Sequence, residues 1–235
     1  MLSQMPYAEL ADLAPTDTRH TLRERLVAVC GTCRPETIDA MVDTARIRSV
    51  REVENIYRQG EPVPLTLILE GYGISRRTNA DGHQLFSGVA PSGILFGYSG
   101  IASAISSVEF VALTDCLVAQ WRGSEIRELV KVDPALALTA IDSMAGSLHA
   151  AMESIEGFLH QDARRRVLRI LARHRSLFFG DPPVLTRSHL SGLVGTTQEM
   201  TRRALRQLEQ EGTIVREGRS GLRLLRPERL DSSAA

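Results

Sequence analysis

The segment from Thr186 to Leu225, TRSHLSGLVGTTQEMTRRALRQLEQEGTIVREGRSGLRLL, leaves this chain little choice of local structure. Thr186 suits the N-cap of a first helix whose Leu190, Leu193 and Val194 form an inward stripe. Gly195 then permits the left-handed turn that two crossing helices need. Thr196 with Glu199 three residues later fits a capping box that opens a second helix. Met200, Ala204, Leu205 and Leu208 recur at helical spacing and face inward, leaving Gln198, Glu199, Arg202, Arg203 and Arg206 on other faces. Gly212 stops that helix. The β-prone runs at 214–216 and 222–225 flank EGRSG, whose Gly218 and Gly221 suit a hairpin.

Two crossing helices and a hairpin form the layout of a winged helix-turn-helix, a fold that sets its second helix in the major groove of DNA. Charge distribution agrees with this. The formal net charge is zero, but residues 1–160 carry 13 Lys+Arg against 20 Asp+Glu, while residues 161–235 carry 15 Arg against 8 acids. A tail of +7 thus follows a body of −7. Such a tail attracts a polyanion through phosphate neutralisation and counterion release. Basic tails also occur in proteins that bind no nucleic acid, so charge alone does not decide the matter.

A chain of 235 residues can bury two modest cores. Its first residues, MLSQMPYAELADLAPTD, are polar and acidic, and no apolar run approaches the roughly 20 residues that cross a bilayer. A cytoplasmic location without membrane association is expected. Cys30, Cys33 and Cys116 make an odd count, which argues against a disulfide framework and suits a reducing compartment.

Four parts follow along the chain. Residues 1–45 form a helical cap, with ERLVAVC and ETIDAMVDTA as amphipathic pieces around GTCRP. Residues 46–132 switch to short β-prone runs ending at Gly60, Gly71, Gly82, Gly93 and Gly97, which indicate an antiparallel sandwich or barrel. Residues 133–160 read as one long helix opened by Asp133-Pro134. Residues 161–235 hold the winged helix. The fold class is therefore α+β.

Within the long helix Leu138, Ile141, Ala145, Leu148, Met152, Ile155 and Leu159 alternate spacings of 3 and 4. A sustained seam of about 3.5 residues is a coiled-coil signature and asks for a partner helix. Packing on the protein's own barrel is the alternative. Self-association as a symmetric homodimer would offer two reading helices to half-sites one DNA turn apart, which predicts an inverted-repeat target.

With its β-roll, long dimerisation helix and winged helix in that order, the chain from about Arg46 resembles the cyclic-AMP receptor protein and FNR (Crp/Fnr) family of transcription regulators. The segment LTRSHLSGLVGTTQEMTRRALRQLEQEGTI carries most of the likeness, with NIYRQGEP and GILFG resembling the family's β-roll turns. The resemblance implies a cyclic-nucleotide-binding-like jelly roll before the DNA-binding domain. It also implies that Gln198, Glu199 and Arg203 read bases beside Arg202, and that Thr186, Arg187, Thr197 and Arg219 contact phosphates. The chemistry is compatible: an Arg fork pairs with guanine O6 and N7, Glu accepts from cytosine N4, and Gln pairs with adenine. Glu199 as a capping partner and Arg202 or Arg206 as solvated charges are the plain alternatives. In relatives the region matching FFGDPPV at 178–184 meets RNA polymerase; packing of Phe178 and Phe179 under the winged helix competes with that role.

The sensor half departs from the family's nucleotide binders. Where they carry a glutamate after the GILFG-like glycine and an arginine further on, this chain has Tyr98 and Ser106, followed by Ser107. A buried phosphodiester needs a cation or dense N–H donors, and a ribose hydroxyl needs an acceptor such as carboxylate. On the same alignment Ala151 and Met152 replace the polar residues that touch the base. Tyr98, Ser106 and Ser107 are thus the candidate lining of an effector pocket that does not use cyclic AMP in the usual way.

Cys30-x-x-Cys33 invites comparison with FNR-like iron–sulfur sites, but a cluster takes four cysteines and the chain has three. A reversible thiol switch and plain packing are the other two readings. His83, His149, His160, His174 and His189 show no pairing that suits an axial haem ligand. Cyclic AMP, haem and an iron–sulfur cluster each fit the residues poorly, which leaves the effector unassigned. No GxxxxGK[ST], HExxH or GxSxG is present, so no enzyme is expected. The competing function is a small-molecule-binding module whose effector role is not DNA binding.

Overall fold

The computed structural model describes residues 15–79, 82, 84–218 and 220–231. The expected helical stretch at 7–14, most of the turn at 80–82, His83 and Arg219 lie outside the described residues. Contacts divide the chain into two compact units: residues up to Ser75 with Val89–Leu148, and Arg76–Gly88 with the residues from His149 onward.

Helices α1 (Pro15–Val29) and α2 (Pro35–Thr44) precede the strands β1 (Arg46–Val50), β2 (Asn55–Tyr57), β3 (Leu65–Glu70), β4 (Tyr72–Thr78), β5 (Gln84–Pro91), β6 (Leu95–Phe96), β7 (Glu109–Ala112) and β8 (Cys116–Trp121), all in the first unit except the end of β4 and the start of β5. They make two four-stranded sheets ordered β1-β8-β3-β6 and β2-β7-β4-β5. β8 pairs antiparallel with both β1 and β3, setting Arg46 opposite Gln120 and Leu65 opposite Trp121. β3 is buried along five of its six residues because it carries apolar side chains to both faces.

One face of β3 and β8 directs Leu65, Leu67, Leu69, Ala119 and Trp121 into a core shared with Leu22, Leu26, Met41, Ile126 and Leu136 of the helices. Trp121 satisfies its buried indole by donating to the Met41 carbonyl at 2.8 Å. The opposite face puts Ile68, Cys116 and Val118 between the sheets with Ile56, Phe110 and Ala112. Phe96 stacks on Phe110 with centroids 4.2 Å apart, and Tyr57 lies 5.8 Å from Phe110. Aromatic rings therefore occupy the sandwich interior.

Helix α3 (Gly123–Val132) follows β8, and α4 (Ala135–His160) runs 26 residues. Leu136 and Ala140 of α4 are buried in the helix-side core, whereas all seven seam residues from Leu138 to Leu159 are exposed in the single chain.

The second unit contains α5 (Ala163–Arg173), α6 (Arg175–Phe179), α7 (Arg187–Val194), α8 (Gln198–Gln210), the hairpin β9 (Ile214–Glu217) and β10 (Gly221–Leu224), and α9 (Glu228–Asp231). Asp162 caps α5 by accepting from Arg165 N at 2.7 Å. Val167, Leu168 and Leu171 bury the apolar stripe of α5 together with Phe178, Leu190, Leu205, Leu208 and Ile214. Phe178 fills this core, while Phe179 is only half-buried.

Candidate nucleic-acid interface

The first helix of the pair begins as its sequence dictates. Thr186 is the N-cap of α7, and its backbone N–H donates to His189 Nδ1 at 3.0 Å in a capping box. Gly195 ends the helix at φ 64, the left-handed conformation that a side chain would disfavour.

The start of the second helix differs from expectation by one residue. Thr197, not Thr196, caps α8, accepting from Met200 N at 3.2 Å, while Thr196 N donates to the Ser191 carbonyl. Glu199 consequently sits in the first turn without a capping role, where its charge complements the helix dipole. The inward stripe centres on Thr201, Ala204, Leu205 and Leu208, so Met200 falls at its edge and is 42% exposed rather than buried.

The opposite face of α8 carries Gln198, Glu199, Arg202, Arg203 and Arg206, all exposed. Positions i, i+1, i+4, i+5 and i+8 share one helical face. Arg202 donates to Gln198 Oε1 at 3.4 Å, a contact between neighbours one turn apart.

Two polar ties join the hairpin to the helices. The Arg187 guanidinium donates to the Gly218 carbonyl at 3.2 Å, and its backbone N–H to the Ser220 carbonyl at 3.0 Å. Glu209 accepts from Arg216 N at 3.2 Å and Arg216 Nε at 2.9 Å. The Arg216 hydrogen bonds hold the Glu209 carboxyl below its usual range. Between these ties lies a recess of about 370 Å³ whose walls include Arg187, Ser188, Ser191, Gln198, Arg202 and Arg216. Cations converging with hydroxyls suit a phosphate group. Ser188, Ser191 and Arg216 were not singled out from sequence, and strand alternation does not point to Arg216, which has the same parity as the buried Ile214.

Tyr98, Ser106 and Ser107, the expected lining of an effector pocket, stand in different surroundings. Gly97 at φ 91 turns the chain into a short 3-10 segment that sends Tyr98 into the helix-side core. Ser106 is buried, donates its hydroxyl to the Val108 carbonyl at 2.6 Å and faces the Tyr57 phenol. Ser107 is exposed. Burial raises both phenols, Tyr57 to about 12, so both stay neutral donors. Cys30, Cys33 and Cys116 are free thiols.

His149 and His160 are exposed, and His174 and His189 are half-buried. Among the described residues no three His, Cys, Asp or Glu side chains group to hold a metal ion, and no helix is long and apolar enough to cross a membrane.

A two-sheet β-roll followed by a winged helix with an arginine-bearing outer face defines a DNA-binding transcription regulator. The Crp-like helix-turn-helix domain model matches residues 158–233. The cAMP-activated global transcriptional regulator Vfr of Pseudomonas aeruginosa is 24% identical over 210 residues, covering 83% of this chain and 97% of Vfr. FixK2 from Bradyrhizobium japonicum superposes with a TM-score of 0.69 at 24% identity, over 81% of this chain and 98% of its own. The c-di-GMP responsive regulator CLP of Xanthomonas campestris gives a TM-score of 0.68 at 20% identity, over 81% and 99% of the two chains. Residues 158–233 thus carry a Crp-like helix-turn-helix domain, and the chain as a whole is similar to transcription regulators of the Crp/Fnr type.

Proposed function

We propose that this regulator works as a homodimer that binds an inverted-repeat operator and answers to a signal other than cyclic AMP bound in the usual way. Gln198, Glu199, Arg202 and Arg203 read base edges, while Thr186, Arg187, Thr197 and Arg219 hold phosphates. One observation carries this reading: the exposed polar face of α8 is undivided and borders a recess built from arginines and serines. The exposed seam of α4 supports pairing with a second copy, since seven apolar side chains on one stripe are costly to leave in water.

The effector assignment rests on the sensor's own chemistry. Vfr is described as cAMP-activated and CLP as c-di-GMP responsive, so similar folds serve different nucleotides. Here Tyr57, Phe96 and Phe110 occupy the space between the sheets, and Tyr98 and Ser106 supply neither cation nor carboxylate. RNA polymerase is a further partner, through the segment at 178–184, where Phe179 and Pro183 border a groove of about 1080 Å³. Action on cellular DNA places the protein in the cytoplasm.

The test is selection of bound duplexes from a random pool, followed by anisotropy titration at several salt concentrations. An enriched palindrome bound with a steep salt slope is the expected result. Binding that ignores sequence in every buffer would refute the operator reading and favour a small-molecule-binding module. Tighter operator binding on adding cyclic AMP, matched by calorimetric heat, would refute the effector reading alone.

A further inference from the structure

Outside the DNA-binding unit, one cluster of nucleophilic side chains takes no part in the function proposed above. α1 ends at Val29, and the chain turns through Cys30, Gly31, Thr32 and Cys33 before Arg34 precedes α2. Cys30 N donates to the Leu26 carbonyl at 2.7 Å, and Cys33 N to the Cys30 carbonyl at 2.8 Å. A turn closed in this way keeps its end Cα atoms within about 7 Å, inside the span that a disulfide bridges. Gly31 allows the close approach, because a Cβ there would stand 2.8 Å from the Val27 carbonyl oxygen.

The two thiols are near enough to influence each other's ionisation, and Cys33 also neighbours the Thr139 side chain on α4. Cys30 is fully buried and Cys33 half-buried. Beside the turn, a recess of about 530 Å³ is bordered by Gly31, Thr32, Tyr98 and Thr139, and the half-buried Cys33 is the more accessible of the two thiols. The third cysteine differs: Cys116 lies between the sheets and donates to the Tyr72 and Thr114 carbonyls at 3.3 Å.

The turn is also tied to the start of α4. Arg34, directly after Cys33, donates its backbone N–H to Asp133 Oδ2 at 2.8 Å, and Asp133 Oδ1 accepts from Ala135 N at 3.2 Å. Ala135 is the first residue of α4.

We propose that Cys30 and Cys33 are a reversible dithiol–disulfide site whose closure loosens the N-terminal turns of α4. The oxidant is a low-molecular-weight disulfide, RSSR. The Cys33 thiolate attacks one of its sulfurs and expels RS⁻, leaving a mixed disulfide. Cys30 then loses its proton and attacks the Cys33 sulfur, expelling the second RS⁻. The two protons lost by the protein go to the two leaving thiolates, so one protein disulfide and two RSH result; excess thiol reverses the exchange. Hydrogen bonds from Thr139 and Cys30 favour the thiolate at Cys33, while burial pushes Cys30 to about 12. Burial and the nearby Asp133 carboxylate nonetheless raise Cys33, so exchange runs through its small thiolate fraction. Closure draws the Cys33 sulfur from Thr139 toward Cys30, and moves the backbone that Asp133 holds.

Full-length protein equilibrated in glutathione buffers of rising disulfide content, then alkylated and mapped by mass spectrometry, tests this. The expected result is loss of two hydrogens from the peptide containing Cys30 and Cys33, with Cys116 still alkylated as a free thiol after unfolding. Amide exchange across residues 133–142 should become several-fold faster in the oxidised form and stay unchanged in oxidising buffer for Cys33→Ser. The variant Cys30→Ser, unable to close the ring, should retain one glutathione on Cys33. A pair that stays reduced in a large excess of disulfide overturns the proposal. So does a disulfide that forms without altering exchange at 133–142.

Discussion

Asp133 and Thr37 meet across 96 residues of sequence, the Thr37 hydroxyl donating to Asp133 Oδ2 at 2.8 Å. The same carboxylate accepts from Arg34 N and Ala135 N, so one side chain holds the starts of two helices. Asp133→Ala leaves these donors without it and should lower stability by about 1–3 kcal/mol. Hydrogen bonds from Arg34 and Thr37 depress the Asp133 carboxyl below its usual range. Because the folded-state value is the lower one, the stabilisation is present above the unfolded value of about 3.9 and fades as pH falls toward the folded one. Urea unfolding of the wild type and Asp133→Asn between neutral and acid pH should show a smaller acid loss in the variant.

Arg203 and Arg187 should separate in competition binding. Arg203→Ala is expected to cost about 1–3 kcal/mol on the selected operator and to relax preference at one base pair. Arg187→Ala should weaken operator and random duplexes alike and reduce the salt slope by about one. Anisotropy titrations of both variants on both duplexes make the comparison; equal losses for Arg203→Ala on the two would remove it from the base-reading set.

Leu148 and Met152 are exposed on the α4 seam. Replacing both with Lys places like charges at the centre of the proposed helix pair and should shift sedimentation equilibrium to monomer while far-ultraviolet circular dichroism stays constant. Operator affinity should fall in parallel, since two half-sites then lose their coupling.

Gly192 of α7 is buried, and a Cβ there would stand 2.5 Å from the Phe86 ring. Phe86 also faces His189 with centroids 6.0 Å apart. Gly192→Ala should destabilise the second unit by about 1–3 kcal/mol through overpacking. Phe86→Ala in the same chain makes room for the methyl group, so thermal melts of the double variant should show less than the sum of the single losses.

His174, at the junction of α5 and α6, is pushed down to about 4 by burial. A histidine favoured as neutral in the folded state gives its full contribution above the unfolded value of about 6.5. That contribution is lost as pH falls from there toward the folded value, because only the unfolded chain takes up the proton. His174→Gln should flatten this part of the stability–pH curve, as measured by unfolding midpoints.

Features set by neighbours in the chain were the legible ones. Thr186 caps α7 and Gly195 ends it because both depend on a few adjacent dihedrals. The α4 seam shows the same locality, since heptad spacing alone fixes which side chains share a stripe. With two threonines in succession, spacing does not say which is the cap; the extended backbone of Thr197 does, and it moves Glu199 out of the capping box. Tyr98 depends on longer-range structure. Its place in the helix-side core follows from Gly97 and from the helices that cover β3, neither of which an alignment of the β-roll turn reveals. Likewise Glu209 meets Arg216 across a helix end and a strand, a pairing that no periodicity encodes.

The Glu209–Arg216 and Arg187–Gly218 ties mean that the hairpin and the two helices have already surrendered their relative freedom before any nucleic acid arrives. Little ordering entropy then remains to be lost on encounter within one such head. Differences in affinity between sequences should accordingly show themselves in how long the complex lives rather than in how quickly it assembles.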